Sequence, residues 1–340
     1  MNIEKSFFLR NALITSILLT TLFSFTPFGF TFASDDTGEE FNPGDMIMHH
    51  VTDAYEWHFF DIGDTHVTLP LPVIIYSGEN GLKIFSSAHF HHGESSYEGY
   101  RLDHGHLVAE DGHEFYDFSI TKNVAALLMG SLIMIFIFLS VAKGYQKNQG
   151  KAPKGIQSFF EPIIIYVRDE IVKPNIGPKY ERYLPYLLTL FFFIWIGNIL
   201  GLLPGAANLT GNIAVTMVLA VFTLIATLFS ANKNYWGHIF NPPGVPLALK
   251  PIIIPVEIIG IFSKPFSLML RLFVAITAGH IVILSLIALA FIFHSVIVGF
   301  ASTLVVTFIN MIEILVATIQ AYVFTLFSSM YIGMAVEEHH

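Results

Sequence analysis

The sequence predicts an all-α polytopic membrane protein with about five spanning helices, the last two forming a long tilted hairpin, preceded by a small β-rich external module. Three observations predict it. Of 340 residues, 54% are hydrophobic and only 13% charged, too apolar and too charge-poor for a soluble domain of this length. From Val124 onwards, apolar runs long enough to cross a bilayer recur. Between Ser34 and Phe118, by contrast, 17 Asp and Glu stand against two bases, Lys83 and Arg101. The net charge of −9 therefore resides in that segment and the rest is net basic; membrane lipid is the expected surrounding and no nucleic acid is expected as a partner. There is no cysteine, which excludes disulfides, thiolate metal sites and thiol nucleophiles.

Residues 1–33 read as a secretory signal peptide: Lys5 and Arg10, an apolar run from Ala12 to Phe23, then Thr31-Phe32-Ala33 with small residues three apart. The alternative is an uncleaved first transmembrane helix, against which stand the short apolar core and its interruption by Pro27 and Gly29. Residues 34–118 form the acidic external module. His66-Val67-Thr68-Leu69, Val73-Ile74-Ile75-Tyr76 and Leu82-Lys83-Ile84-Phe85 read as strands, the last two joined by a Gly78-Glu79-Asn80-Gly81 turn.

Residues 119–340 form the membrane domain. Val124 to Ala142 spans, and Lys143, Lys147, Lys151 and Lys154 then place that side in the cytoplasm. Ser158 to Lys173 mixes apolar residues with Glu161, Arg168, Asp169 and Glu170 and reads as an interfacial amphipathic helix. Tyr183 to Leu203 returns outward to Pro204-Gly205, Asn212 to Ala231 comes back, and a loop with Lys233, Lys250 and three prolines follows. Pro251 to Phe293 and Ser295 to Ala335 each overshoot a hydrocarbon core of roughly 30 Å if wholly helical, so they must tilt or bend.

Four ionisable residues fall at membrane depth: Glu257, Arg271, His280 and Glu313. Each is costly there, about 2.5 to 3.5 kcal/mol for an Arg at mid-bilayer on insertion scales. Each could also snorkel to an interface or simply join two helices. An antiparallel hairpin turning at His294-Ser295 to Gly299 brings Arg271 opposite Gln320 and His280 opposite Glu313 in nearly one register. Arg271 and His280 lie about 13.5 Å apart along the axis and half a turn apart around it, so they serve different surfaces or the helix bends. Arg holds a fixed charge; His280 and Glu313 can exchange a proton as a coupled pair.

The run Ser263-Lys264-Pro265-Phe266-Ser267-Leu268-Met269-Leu270-Arg271-Leu272-Phe273, continuing to Ala278-Gly279-His280, resembles subunit a of F-type ATP synthases. So do Thr318-Ile319-Gln320-Ala321-Tyr322-Val323-Phe324 and the tail Met334-Ala335-Val336-Glu337-Glu338-His339. The resemblance covers about residues 120 to 340. It implies two offset proton half-channels working against a rotating c-ring, with b subunits of a peripheral stalk as further partners and a bacterial inner-membrane location. It also implies residue roles: Arg271 meets the ring carboxylate, Gln320 packs near it, and His280 and Glu313 occupy channel positions where some members exchange the two residue types. Glu257 then lines the cytoplasmic half-channel and Asn198 lies near the external one. Val274-Ala275 stand where many members have Gly-Asn, leaving that stretch of channel wall apolar.

The chain has no G-x-x-x-x-G-K-[ST] loop and no H-E-x-x-H. It is therefore expected to have no nucleotide site, cofactor or enzymatic centre of its own. The competing readings are an intramembrane metal-dependent hydrolase or metal transporter with His and Glu ligands, and a structural anchor with a sensory external domain. Ten of fifteen histidines crowd the external module: His49, His50, His58, His66, His89, His91, His92, His104, His106 and His113. That density suits Zn²⁺ binding, proton buffering or a plain solvated surface.

Overall fold

The computed structural model describes Gly44 and residues 52–337, apart from 63–64, 79, 94, 104, 204–205, 242–245, 247 and 294. The expected signal segment, His49, His50, His104, Glu79, the Pro204-Gly205 turn and His294 lie outside the described residues.

The module is antiparallel throughout. It contains β1 (Glu56–Ile62), β2 (Thr65–Pro70), β3 (Pro72–Ser77), β4 (Gly81–Ser86), β5 (Tyr100–Asp103), β6 (His106–Ala109) and β7 (Phe115–Asp117), with a 3₁₀ helix at Ser87–Gly93. Three small sheets pair β1 with β2, β3 with both β4 and β7, and β5 with β6. The strands expected from alternation at His66, Val73 and Leu82 are β2, β3 and β4. Along β3, Val73, Ile75 and Ser77 point inward while Pro72 and Tyr76 face solvent, as a two-residue side-chain period requires. Val73 and Ile75 meet Phe90, Tyr100, Leu107 and Ala109 in the module's own core.

Five helical segments are long and apolar enough to cross a membrane: 122–147, 156–201, 213–230, 250–290 and 296–336. The chain is a multi-pass membrane protein. Its helices are α1 (Lys122–Lys147), α2 (Ile156–Tyr166), α3 (Tyr180–Gly201), α4 (Ile213–Ser230), α5 (Lys233–Phe240), α6 (Lys250–Phe293) and α7 (Val296–Val336). Between α2 and α3 the chain keeps turning through a π-helical stretch, Val167–Val172, and one α turn, Lys173–Ile176. The amphipathic character expected over Ser158–Lys173 is kept: Val167, Ile171 and Val172 are fully buried, while Arg168 and Asp169 pair at 2.8 Å on the outer side. On the buried side Ser329 Oγ of α7 donates to Ile171 O at 3.2 Å. Gly333 of α7 lies so close to Asn175 O that a Cβ would collide with it.

One helix was not expected. The stretch after α4 reads as a loop, yet Lys233–Phe240 is helical, because Asn232 before it is anchored twice: its backbone N and side-chain Nδ2 donate to Ala335 O and Val336 O of α7, each at 2.8 Å.

The closing hairpin turns where expected, with α6 ending at Phe293 and Ser295 preceding α7, but the turn is tighter than expected: Gly299 already lies in the first turn of α7. Its helices hold 44 and 41 residues, about 66 and 62 Å of rise, twice the hydrocarbon thickness. Pro255 and Pro265 lie inside α6, where each removes one backbone hydrogen bond. Leu268, Leu272 and Ile276 of α6 and Ala321, Phe324 and Ile332 of α7 join Phe191, Phe192 and Ile194 of α3 in the main core.

Candidate functional site

Helix α6 has two faces with opposite jobs. Leu268, Leu272, Ile276 and His280 follow at four-residue spacing, the first three buried in the bundle and His280 largely covered. Arg271, Val274 and Ala278 line the outer face and are exposed. The half-turn between Arg271 and His280 is thus expressed as a difference of surface.

His280 is held at both ring nitrogens: Nδ1 lies 3.1 Å from Glu313 Oε1 and Nε2 lies 3.2 Å from Gly201 O at the end of α3. A carbonyl can only accept, so Nε2 carries a hydrogen. For the Nδ1–Oε1 contact to be a hydrogen bond as well, one further proton must lie on the imidazolium or on the carboxyl. Glu313 is 3% exposed, and its Oε2 is buried without a hydrogen-bond partner among the described residues. A proton acceptor held at this depth, with one oxygen unsatisfied, is costly unless it is used. Gly279 makes the approach possible, since a Cβ there would stand 2.5 Å from Glu313 Oε1.

A second buried polar group adjoins the pair. Asn198 on α3, 2% exposed, accepts from Thr210 Oγ1 at 2.6 Å and donates to Ala317 O of α7 at 3.4 Å. Trp195 Nε1, one turn earlier on α3, donates to Thr318 Oγ1 at 3.1 Å. The structure therefore gathers His280, Glu313 and Asn198 at one end of the α3–α6–α7 interface. Thr210, the Gly201 carbonyl and Gly279 were missed in the sequence. A backbone carbonyl leaves no composition signal, but a glycine beside a membrane histidine, opposite a glutamate, could have marked the close approach.

Among the described residues no hydrogen bond joins Arg271 to Gln320. Its guanidinium lies over the Phe327 ring, 4.7 Å from the centroid, and among the described residues it has no carboxylate partner. Register alone ignores side-chain direction: helical side chains lean toward their own N-terminus. In this antiparallel hairpin that carries the long Arg271 side chain toward higher numbers on α7, two turns past half-buried Gln320.

Glu257 sits apart, half-buried toward the start of α6. Burial, and then the Glu257 carboxylate, hold the Tyr235 phenol of α5 above its ordinary range. A small cavity of about 10 Å³ is lined there by Thr227, Tyr235, Lys264 and Tyr331. Elsewhere, no three His, Asp or Glu converge as a possible metal-ligand set among the described residues.

The family model for the ATP synthase A chain matches residues 124–333, and a model described only as a domain of unknown function matches residues 46–126. ATP synthase subunit a 2 of Chlorobaculum tepidum is 38% identical over 303 residues, covering 87% of this chain and 74% of the relative. ATP synthase subunit a of Chloroherpeton thalassium is 40% identical over 264 residues, covering 70% and 78%. ATP synthase subunit a of an Anaeromyxobacter species is 36% identical over 321 residues, covering 90% and 74%. With a family model over most of the membrane domain and relatives matched along about three quarters of their length, the chain belongs to the ATP synthase subunit a family.

Proposed function

We propose that this chain is the stationary proton path of the membrane sector of a rotary ATP synthase, working against a ring of c subunits and held by b subunits of a peripheral stalk. The observation that carries the proposal is the division of α6 between an exposed Arg271 and an inward His280 bonded to Glu313. A ring carboxylate that releases its proton inside the bilayer needs a fixed cation beside it, and only Arg keeps its charge whatever its surroundings. The unpaired Arg271, on the outer face with Val274 and Ala278, is free to meet such a carboxylate. His280 and Glu313, with Asn198 beside them, load and release the proton in one half-channel. Glu257, with Tyr235 and Lys264 near it, lines the other, and Gln320 flanks the ring face. Val274 makes the wall next to Arg271 apolar, so the proton route passes on the inner side of α6.

On this reading the four lysines after α1 face the cytoplasm and the β module lies outside, delivered there by a signal in residues 1–33. The chain supplies no nucleotide chemistry itself; it couples proton flow to rotation. A single experiment tests both parts: intact cells carrying Ser95→Cys or Gln149→Cys are treated with an impermeant thiol reagent and the complex is then purified. Ser95→Cys should be labelled, Gln149→Cys should not, and the chain should copurify with a c-ring. Reversed labelling overturns the orientation, and purification without a c-ring overturns the function.

A further inference from the structure

Several contacts tie the β module to the membrane helices, and one of them ends at the loop behind the His280–Glu313 pair. The first is a helix cap supplied from 70 residues away: Asp53 Oδ1 accepts from Asn123 N at 3.0 Å, in the first turn of α1. The local cap residue, Thr121, makes no side-chain cap bond. A carboxylate at this position satisfies an orphan N–H and complements the helix dipole. Lys122 Nζ adds a bond to Thr52 O at 3.0 Å.

The second contact is Trp57 of β1. Its indole is 5% exposed and packs with Leu71, with Ala126 of α1 and with Ala207, between α3 and α4. A cavity of about 40 Å³ adjoins it, bounded by Gly130, Gly197, Ala207 and Leu209 among others. Ala207 opens the turn Leu209–Gly211, in which Asn208 caps Gly211 N at 3.0 Å and Thr210 donates to Asn198. The Cα of Asn208 stands 3.4 Å from where a Cβ on Gly201 would lie, so this turn backs directly onto the residue whose carbonyl meets His280.

We propose that Trp57 is a positioning residue for proton uptake: its indole wedges the 206–211 turn against α3 so that Thr210 orients Asn198 and the Gly201 carbonyl accepts from His280. The proposal rests on the half-channel role given above to His280 and Glu313. Space already adjoins the indole, so removing it enlarges a void that the turn can relax into. The Gly201 carbonyl then withdraws, and the proton-loaded pair loses one acceptor. Glu313 is the titratable group in contact with His280. Helix α4 and the 206–212 turn carry none, Glu181, Arg182 and the tyrosines of α3 lie toward its opposite end, and Arg271 is two and a half turns away on the other face of α6. Glu56 and His58 flank Trp57 on the other face of β1.

The test uses the intact complex in sealed vesicles, with ATP synthesis driven by acidifying the module side over a series of pH values. Trp57→Ala should move the midpoint of the pH profile toward acid by roughly half a unit to one unit, the size expected for one lost hydrogen bond of ordinary strength. Trp57→Phe should move it the same way by less, and it carries the test if Trp57→Ala does not assemble. Tyr76→Ala, on the exposed face of β3, should leave the midpoint in place. A Trp57 variant that lowers the rate equally at every pH, with its midpoint unmoved, overturns the positioning role. His280→Ala is run alongside. If it reshapes the profile and the Trp57 variants do not, the positioning role alone fails; if none of them changes the profile, the half-channel reading fails with it.

Discussion

The closing hairpin and the β module spend their polar residues in opposite ways. In the hairpin a single histidine and a single glutamate, 33 positions apart in sequence, come within 3.1 Å. In the module histidines are plentiful, yet among the described residues no three His, Asp or Glu converge on a point. His58, His89, His91 and His106 are exposed there. The difference is one of cost. An ionisable side chain at membrane depth persists only where a partner or a task justifies it, and two long helices act as rails that fix where the partner stands. A histidine on a solvated strand costs almost nothing and needs no partner. Residue density therefore says little about chemistry, whereas an isolated polar group in an apolar helix says a great deal.

The largest effect that follows is at Arg271. Arg271→Ala should abolish ATP synthesis and ATP-driven proton pumping while the complex still assembles, because the side chain is exposed and only stacks on Phe327. Passive proton flow through the membrane sector should rise. At about 2.3 kcal/mol per charge at 100 mV, such a leak dissipates the gradient without turning the ring. Arg271→Lys should fail largely too, since an ammonium lacks the planar fork and can lose its proton when desolvated. ATP synthesis and passive permeability in reconstituted vesicles check this. An assembled Arg271→Ala complex working near the normal rate would make the residue a structural snorkeller, and the hairpin would then resemble the module in using charge without chemistry.

A smaller, partial effect is expected at the pair. Exchanging the two residues, His280→Glu with Glu313→His, should restore more proton transport than either single replacement suggests, since the contact can hold one proton whichever helix bears the imidazole. The exchange is incomplete by construction: Gly201 O can only accept, and a glutamate at 280 meets it only when protonated. Transport rates of the two single variants and the double variant form the cycle. A double variant no better than the worse single one would show that the two residues act separately.

How much of this was legible in the sequence depended on what each feature rests on. Span number, the hairpin turn and the strands β2 to β4 follow from hydrophobic period and turn residues, which are local properties. The His280–Glu313 contact was legible because an antiparallel register is nearly a local property too. The stacking of Arg271 on Phe327 was not legible, because it depends on side-chain direction over two turns of α7. Thr210, the Gly201 carbonyl and the Asp53 cap on α1 could not be read at all, being tertiary contacts between segments with no shared periodicity. The helix Lys233–Phe240 was read as loop for a related reason: its anchor, the end of α7, lies more than 100 residues away.

The smallest effect lies in the module, at a histidine bonded to a carboxylate and a phenol. His113 Nδ1 bonds Asp111, and Tyr100 OH lies 3.0 Å from Nε2, with Tyr100 fully buried in the module core. A neutral imidazole serves both, donating to the carboxylate and accepting from the phenol. The bonds from His113 hold the Asp111 carboxyl below its usual range. A carboxyl held low binds fewer protons folded than unfolded, so its contribution is present above the unfolded pKa and is lost as pH falls through the folded value. Asp111→Asn should therefore loosen β5 and β6 slightly near pH 7 and by progressively less below about pH 4, with ATP synthesis unchanged. Hydrogen exchange of the Tyr100–Ala109 amides in the intact complex measures this. A difference that grows in acid would mean that His113, and not Asp111, is the group whose charge steadies the strands. That outcome would place in the module the kind of proton-linked histidine that is proposed above for position 280.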